Sequence, residues 1–183
     1  MKTALLLIDI QNDYFSGGRN PLVGSLEASV QARRLLDAFR RQALPVVHIQ
    51  HVSTRPGARF FLPDTEGVLI HTNVQPLPGE AVFQKHVPNS FRDTPLLDHL
   101  RELQIERLVV AGMMTHMCVD AGVRAAWDYG FECLVAQDAC ATRALEHGGV
   151  QVPAEHVHAA FLAALNGTYA RVITAEEILA LLS

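Results

Sequence analysis

Leu108-Val109-Val110-Ala111-Gly112-Met113-Met114-Thr115-His116-Met117-Cys118-Val119-Asp120 opens as an apolar run of strand type, breaks at Gly112 and resumes with helical spacing. Val119, Val123 and Trp127 recur at intervals of four and share one helix face. Thr115 stands where an N-cap belongs, which puts Cys118 in the first helical turn. Unpaired amides and the positive end of the helix dipole favour thiolate over thiol there. The plainer reading of a lone cysteine is a small buried hydrophobe. Its companions elsewhere in the chain decide between the two.

The flanks of this stretch alternate between strand and helix. Ala4 to Ile8 is a continuous apolar run, as in a strand buried on both faces. Leu26, Val30, Leu35, Leu36 and Phe39 predict a helix over 25–42, and Pro45 to Ile49 a second strand. Residues 53–79 are irregular, rich in Pro and Gly, and too long for a passive connector, so they are expected to cover a site or an interface. Ala81 to Phe83 reads as a third strand ending at Gln84-Lys85, Leu96 to Leu103 as a helix, and Arg107 to Ala111 as the fourth strand. Phe131 to Ala136 is a fifth strand, Pro153 to Leu165 a helix and Ala170 to Ile173 a short strand. The closing helix starts at Thr174, where Thr174 and Glu177 make a capping box. Buried strands alternating with helices mean one α/β domain over 1–183, three layers deep, with a mainly parallel sheet.

A chain of 183 residues can bury a substantial core, and 49% hydrophobic against 19% charged residues describes a compact globule. The net charge of −4 with no basic run excludes nucleic acid as a partner. No apolar stretch reaches the roughly 18 residues of a membrane span. The opening Met1-Lys2-Thr3 runs directly into a strand and meets Asp9, unlike a secretory leader. Cys118, Cys133 and Cys140 form no CxxC motif, so a cytoplasmic protein with free thiols is expected. Gly148-Gly149 lacks the context of a nucleotide-binding loop.

In open parallel sheets ligands bind beyond the carboxyl ends of the strands, near the point where strand order reverses. Three reactive groups fall at such ends: Asp9 after the first strand, Lys85 after the third and Cys118 past the fourth. An ammonium beside a thiol stabilises the thiolate, and a carboxylate can take the thiol proton and return it to a leaving amine. Amides of the Gly112–Cys118 turn could hold a tetrahedral oxyanion. Taken singly, Asp9 could instead cap a turn with Asn12, and Lys85 could be a surface charge.

Four segments together resemble the isochorismatase-like cysteine hydrolases. They are Leu7-Ile8-Asp9-Ile10-Gln11-Asn12-Asp13-Tyr14-Phe15; Lys85 with Asn89-Ser90-Phe91 and Thr94; Gly112 to Val119; and Asp138-Ala139-Cys140-Ala141-Thr142. The resemblance spans nearly the whole chain. It implies a six-stranded sheet of order 3-2-1-4-5-6 and a catalytic triad of Asp9, Lys85 and Cys118. A cis peptide at Met113–Met114 is implied too, with an oxyanion hole from the N–H groups of Met114 and Cys118. The implied activity is hydrolysis of a C–N bond in a small amide, ureido or carbamoyl compound through a thioester, with no cofactor, in a homo-oligomer (dimer or tetramer). Isochorismatases proper lack the nucleophilic cysteine. Nicotinamidases carry an Asp-x-His metal motif after the second strand, where this chain has His48-Ile49-Gln50-His51. A zinc site built from His48, His51 and His71, or a metal-assisted amidase using His51 and His71, is the alternative within enzymes; a non-catalytic binding relative is the alternative outside them.

Phe15, His51, Ser90, Phe91, Thr115 and His116 are the candidate substrate contacts, with Phe60 and Phe61 adding to an aromatic pocket under the long loop. Asn12 and Asp13 are candidates to support Asp9. Cys133 reads as core, Cys140 as pocket wall or oxidation partner, and Trp127 as packing or a subunit interface.

Overall fold

The first strand sets the frame because every one of its side chains is buried. In the computed structural model, which describes residues 1–182, β1 (Thr3–Ile8) pairs in parallel with β2 (Val46–His51) on one side and β4 (Arg107–Met113) on the other. β3 (Ala81–Lys85) adds beyond β2, and β5 (Glu132–Ala141) and β8 (Arg171–Ile173) beyond β4, giving the order β3-β2-β1-β4-β5-β8. This is the expected six-stranded parallel order, except that a separate hairpin, β6 (Leu145–His147) with β7 (Val150–Val152), precedes the last sheet strand.

Alternation along the strands feeds two cores. Leu5, Leu7, Val109, Ala111 and Leu134 face α1 (Ser25–Arg41) and α5 (Ala175–Leu182), where they meet Leu35, Leu36, Phe39 and Ile178. Ala4, Leu6, Ile8, Leu108, Val110 and Val135 face the other way, with Leu96 and Leu100 of α2 (Leu96–Glu102), Val123 of α3 (Asp120–Asp128), and Leu162 and Leu165 of α4 (Ala154–Leu165). A period of two on strands covered on both faces yields this two-sided burial. Trp127 departs from its predicted face: Val119 and Val123 are fully buried, but Trp127 is half-exposed, edge-on to Tyr169.

Two local features differ from the sequence reading, and both bear on the site. Thr115 is not an N-cap; residues Thr115–Val119 form a π-helical turn capped by Met114, and α3 begins only at Asp120. Such one-turn π segments recur at functional sites. The fifth strand, predicted to end at Ala136, runs on to Ala141: β5 breaks register opposite Val110/Gly112 and resumes with Gly112 beside Cys140 and Met113 beside Ala141. Asp138, within that break, accepts the Ala175 amide at 2.7 Å and so starts α5. The capping box is present, with Thr174 N donating to Glu177 at 2.8 Å and Glu177 N to Thr174 Oγ1 at 3.2 Å.

At Gly112 the backbones of β1 and β4 leave no room for a side chain. The glycine φ is 151°, and a Cβ there would stand 2.2 Å from the Ile8 carbonyl oxygen. Only glycine lets the two strands end side by side, and those ends carry the site. No helix among the described residues is long and apolar enough to cross a membrane.

Candidate active site

Chain order reverses between β1 and β4, so the crevice at the switch point lies beyond Ile8 and Met113. Asp9 follows β1 directly with φ 52°, in the left-handed region that a non-glycine residue enters at a cost of about 1–2 kcal/mol. Lys85 ends β3, two strands away. Its side chain crosses the end of β2 past its register partner His51 and places Nζ 2.8 Å from Asp9 Oδ2. Both side chains are wholly buried, which rules out a surface charge at Lys85.

The Lys85 ammonium is saturated. Besides Asp9, it donates to His51 Nδ1 at 3.1 Å and to the Val87 carbonyl at 3.1 Å. Burial alone would lower its pKa, but the charges of Asp9 and Cys118 outweigh that and raise it. The Cys118 sulfur, a carboxylate oxygen of Asp9 and a ring nitrogen of His51 all lie within 4.8 Å of one another. Asp9 Oδ1 has no hydrogen-bond partner. Three groups separated by 76 and 33 residues of chain therefore converge on one buried point.

The expected low-pKa thiolate does not match this environment. Burial, and then the negative charge of Asp9, push the Cys118 thiol well up; Lys85 offsets this only in part. One ammonium already neutralises one carboxylate, so a second buried anion has no counter-charge. Burial therefore favours the neutral thiol over the thiolate at Cys118. His51 is lowered to about 4, chiefly by burial, so at neutral pH the ring is uncharged and its Nδ1 accepts from Lys85. A folded value below the unfolded one means stability is complete above about pH 6.5 and is lost as pH falls towards 4, by at most about 2–3 kcal/mol. Urea melts near pH 7 and pH 5 should show this loss, and His51→Gln should remove its share.

The metal alternative fails on the same geometry. Among the described residues one group of three could ligate a cation, Asp9, His51 and Cys118, but Lys85 Nζ already bonds two of its members. A divalent ion there would stand against an ammonium. The histidine trio is not assembled: His48 is buried and bonds Glu80 at 3.0 Å in a set with Arg40, while His71 stacks on Phe15 at 3.7 Å.

The other expected site residues divide. Phe61, carried over the crevice by the long loop, packs edge-on to Tyr14 and lies 5.8 Å from the His51 ring. Phe60 packs on both Phe61 and Tyr14. Thr115 Oγ1 and His158 Nδ1 are 2.9 Å apart, and His116 Nδ1 lies 2.5 Å from Thr142 Oγ1, leaving His116 Nε2 buried and unpartnered. Phe91 does not join the pocket. It packs on Tyr129 and Phe131, which lead into the amino-terminal end of β5, away from the crevice. Ser90 is wholly buried with its hydroxyl against Gly122 of α3. Asn12 and Asp13 hold the loop rather than Asp9: Asn12 Nδ2 donates to Glu66 O, and Asp13 accepts from Phe61 N at 2.6 Å and Arg19 N at 3.0 Å.

Two residues inside the first motif were passed over. Gln11, fully buried, accepts His51 N at 2.8 Å and donates to His51 O and Val68 O, fastening the end of β2 to the loop. Tyr14, 1% exposed, sits close enough to Cys118 and Asp9 that their charges help raise its pKa; burial is the main cause. In one sequence a stapling glutamine looks like a solvated one, so only their place in the motif pointed here.

The conserved-domain pattern described as the isochorismatase domain matches residues 3–177. The chain belongs to the isochorismatase family. It is 52% identical over 179 residues to the Bacillus subtilis isochorismatase family protein YddQ, covering 98% of this chain and 99% of that one. A solved structure from Oleispira antarctica, assigned to the isochorismatase hydrolases, superposes with a TM-score of 0.94 at 55% identity, covering 98% of this chain and 96% of that one. The nicotinamidase of Escherichia coli is 28% identical over 174 residues, 75% of this chain and 82% of its own. Family membership makes the chain an isochorismatase-family hydrolase.

Proposed function

We propose that this hydrolase cleaves the C–N bond of a small amide, ureido or carbamoyl compound, with Asp9, Lys85 and Cys118 as its catalytic triad. The observation that carries the reading is the convergence, at one buried point, of the Cys118 sulfur with a carboxylate oxygen of Asp9, the acid that Lys85 pairs at 2.8 Å. As the sulfur attacks the carbonyl carbon, its proton passes to Asp9, so the buried site never holds a second net negative charge. The carbonyl oxygen becomes an oxyanion, for which the N–H groups of Met114 and Cys118 are the proposed donors. Met113–Met114 is a cis peptide, and the amides on either side of Cys118, those of Met117 and Val119, bond to Met114 O at 3.0 and 3.2 Å. Collapse breaks the C–N bond, and the departing amine takes the proton from Asp9. Water then adds to the thioester with Asp9 again as base, and the thiol leaves with that proton. Lys85, 2.8 Å from its carboxylate, holds Asp9 in place. Phe15, His51, Thr115 and His116 stay as proposed wall residues; Ser90 and Phe91 do not.

Cleavage of an amide is in keeping with the nicotinamidase relative. A panel of small amides, ureas and carbamoyl acids, assayed for ammonia or amine release with wild type and Cys118→Ala, tests the reading. Product from at least one compound with wild type alone is expected. Equal product from both proteins would remove Cys118 as nucleophile.

A further inference from the structure

Asp9, Lys85 and Cys118 are 0%, 1% and 3% exposed, so His51, half-buried beside them, is the member of the cluster that meets solvent. It is held at both of its backbone groups. β2 ends at His51, whose amide donates to Gln11 Oε1 at 2.8 Å and whose carbonyl accepts from Gln11 Nε2 at 2.9 Å. Its ring lies 5.8 Å from that of Phe61, which the covering loop returns to the strand end through a bond from Ser53 N to Phe61 O at 2.8 Å. Its Nδ1 stands 3.1 Å from Lys85 Nζ. Nε2 has no partner among the described residues and is not sealed from solvent.

The bond to Lys85 decides which ring nitrogen carries the hydrogen. An ammonium has three donors and no lone pair, so Nδ1 must be bare and accept. Burial opposes the Lys85 charge, but Asp9 and Cys118 outweigh it and raise the pKa; burial lowers that of His51 to about 4, so the ring is neutral near pH 7. A neutral imidazole with a bare Nδ1 carries its hydrogen on Nε2. The plainer role for such a ring is to satisfy Lys85. That role needs one acceptor, which an asparagine could supply, and leaves an N–H donor without use in a ring that has a nitrogen within 4.8 Å of the Cys118 sulfur. A neutral donor beside a carboxylate and an ammonium that cancel each other suits an uncharged acceptor. A substrate N–H or O–H placed there would find no lone pair.

We propose that His51 is a specificity-determining residue: its Nε2–H, held in that tautomer by Lys85, donates to an uncharged acceptor atom of the substrate, a carbonyl or ether oxygen, and so orients the scissile carbonyl towards Cys118. This rests on the hydrolase reading above and adds what that hydrolase selects. It also gives Lys85 a second task, because the ammonium that pairs Asp9 sets the tautomer of the ring that the substrate meets.

Two measurements test it. The first is nitrogen NMR of the protein carrying isotopically labelled histidine, in which a ring nitrogen bearing hydrogen resonates apart from a bare one; His51→Gln identifies the His51 signals. Near pH 7 Nε2 should bear the hydrogen and Nδ1 should be bare, and the reverse overturns the proposal. The second is kcat/KM for a hydrolysed panel compound that carries such an oxygen and for its analogue with CH2 in that place. Wild type should prefer the oxygen compound. His51→Asn keeps an acceptor for Lys85 but has no donor at the far side of the ring, and should lose about tenfold of the preference. His51→Gln, whose amide NH2 reaches that side, should keep most of it. A preference that wild type lacks, that survives in His51→Asn, or that both variants lose equally overturns the donor and leaves the hydrolase reading standing. Urea melts check that both variants fold; where one does not, the wild-type preference and the tautomer decide. Absence of any Cys118-dependent turnover overturns both readings.

Discussion

Asp9→Asn is expected to lower kcat/KM by about a thousandfold or more, while making Cys118 easier to ionise. The two halves of this expectation pull apart two views of the site. If the cysteine worked as a preformed thiolate, removing the carboxylate would help, because the negative charge of Asp9 is one of the causes that hold the thiol proton on. In the variant Lys85 loses its counter-ion, and a thiolate becomes the only anion within reach to replace it. An asparagine cannot take up the thiol proton or return it to the amine, however. The variant should show thiolate absorbance at lower pH than wild type and still turn over poorly. A variant that ionises more readily and keeps its activity would mean that Asp9 is only an electrostatic neighbour.

Lys85→Met is expected to destabilise the fold by about 3–5 kcal/mol, the cost of leaving a buried carboxylate unpaired. With Lys85 gone, the donor left beside Asp9 is the weak Cys118 thiol, and the pair is fully excluded from solvent. Adding Asp9→Asn to Lys85→Met should recover most of that loss, since the double variant buries no net charge, but it should recover no activity. Urea unfolding of wild type, both single variants and the double variant closes the cycle. Single effects that simply add would show that the two charges do not depend on each other.

How much of this was legible beforehand follows from which forces are local. The strands and helices of the sheet announce themselves because a strand covered on both faces must be apolar throughout, as Leu5, Leu6, Leu7 and Ile8 are. The three reactive groups could be placed at strand ends from the alternation alone. Their states could not. Whether Lys85 bends over β2 into the protein or out into water depends on what covers β2, and that cover, the loop bearing Phe61, is fastened by Gln11 and Asp13 through bonds spanning 40 to 57 residues.

The thiol's protonation was misjudged for a related reason. The helix start and the nearby ammonium are visible in sequence order, whereas desolvation is a property of the closed crevice. The π-helical turn escaped notice because Thr115 turns its hydroxyl to His158, 43 residues on, instead of capping its own helix. The extension of β5 past its register break depends on pairing with Gly112 and Met113, which small residues such as Ala139 and Ala141 do not advertise. The β6–β7 hairpin did carry a signal. Gly148 and Gly149 both adopt positive φ, 58° and 79°, as a two-residue hairpin turn requires, and Leu145 and Val152 pair across it.

The most direct test is the mass of the intact protein, quenched in acid during turnover of a compound that the panel shows to be hydrolysed. The wild-type chain should gain the mass of the acyl fragment, without its nitrogen, on the peptide containing Cys118, and hydroxylamine should remove it. Turnover at full rate with no adduct on that peptide, or with the same adduct in Cys118→Ala, would contradict the covalent role assigned to this sulfur.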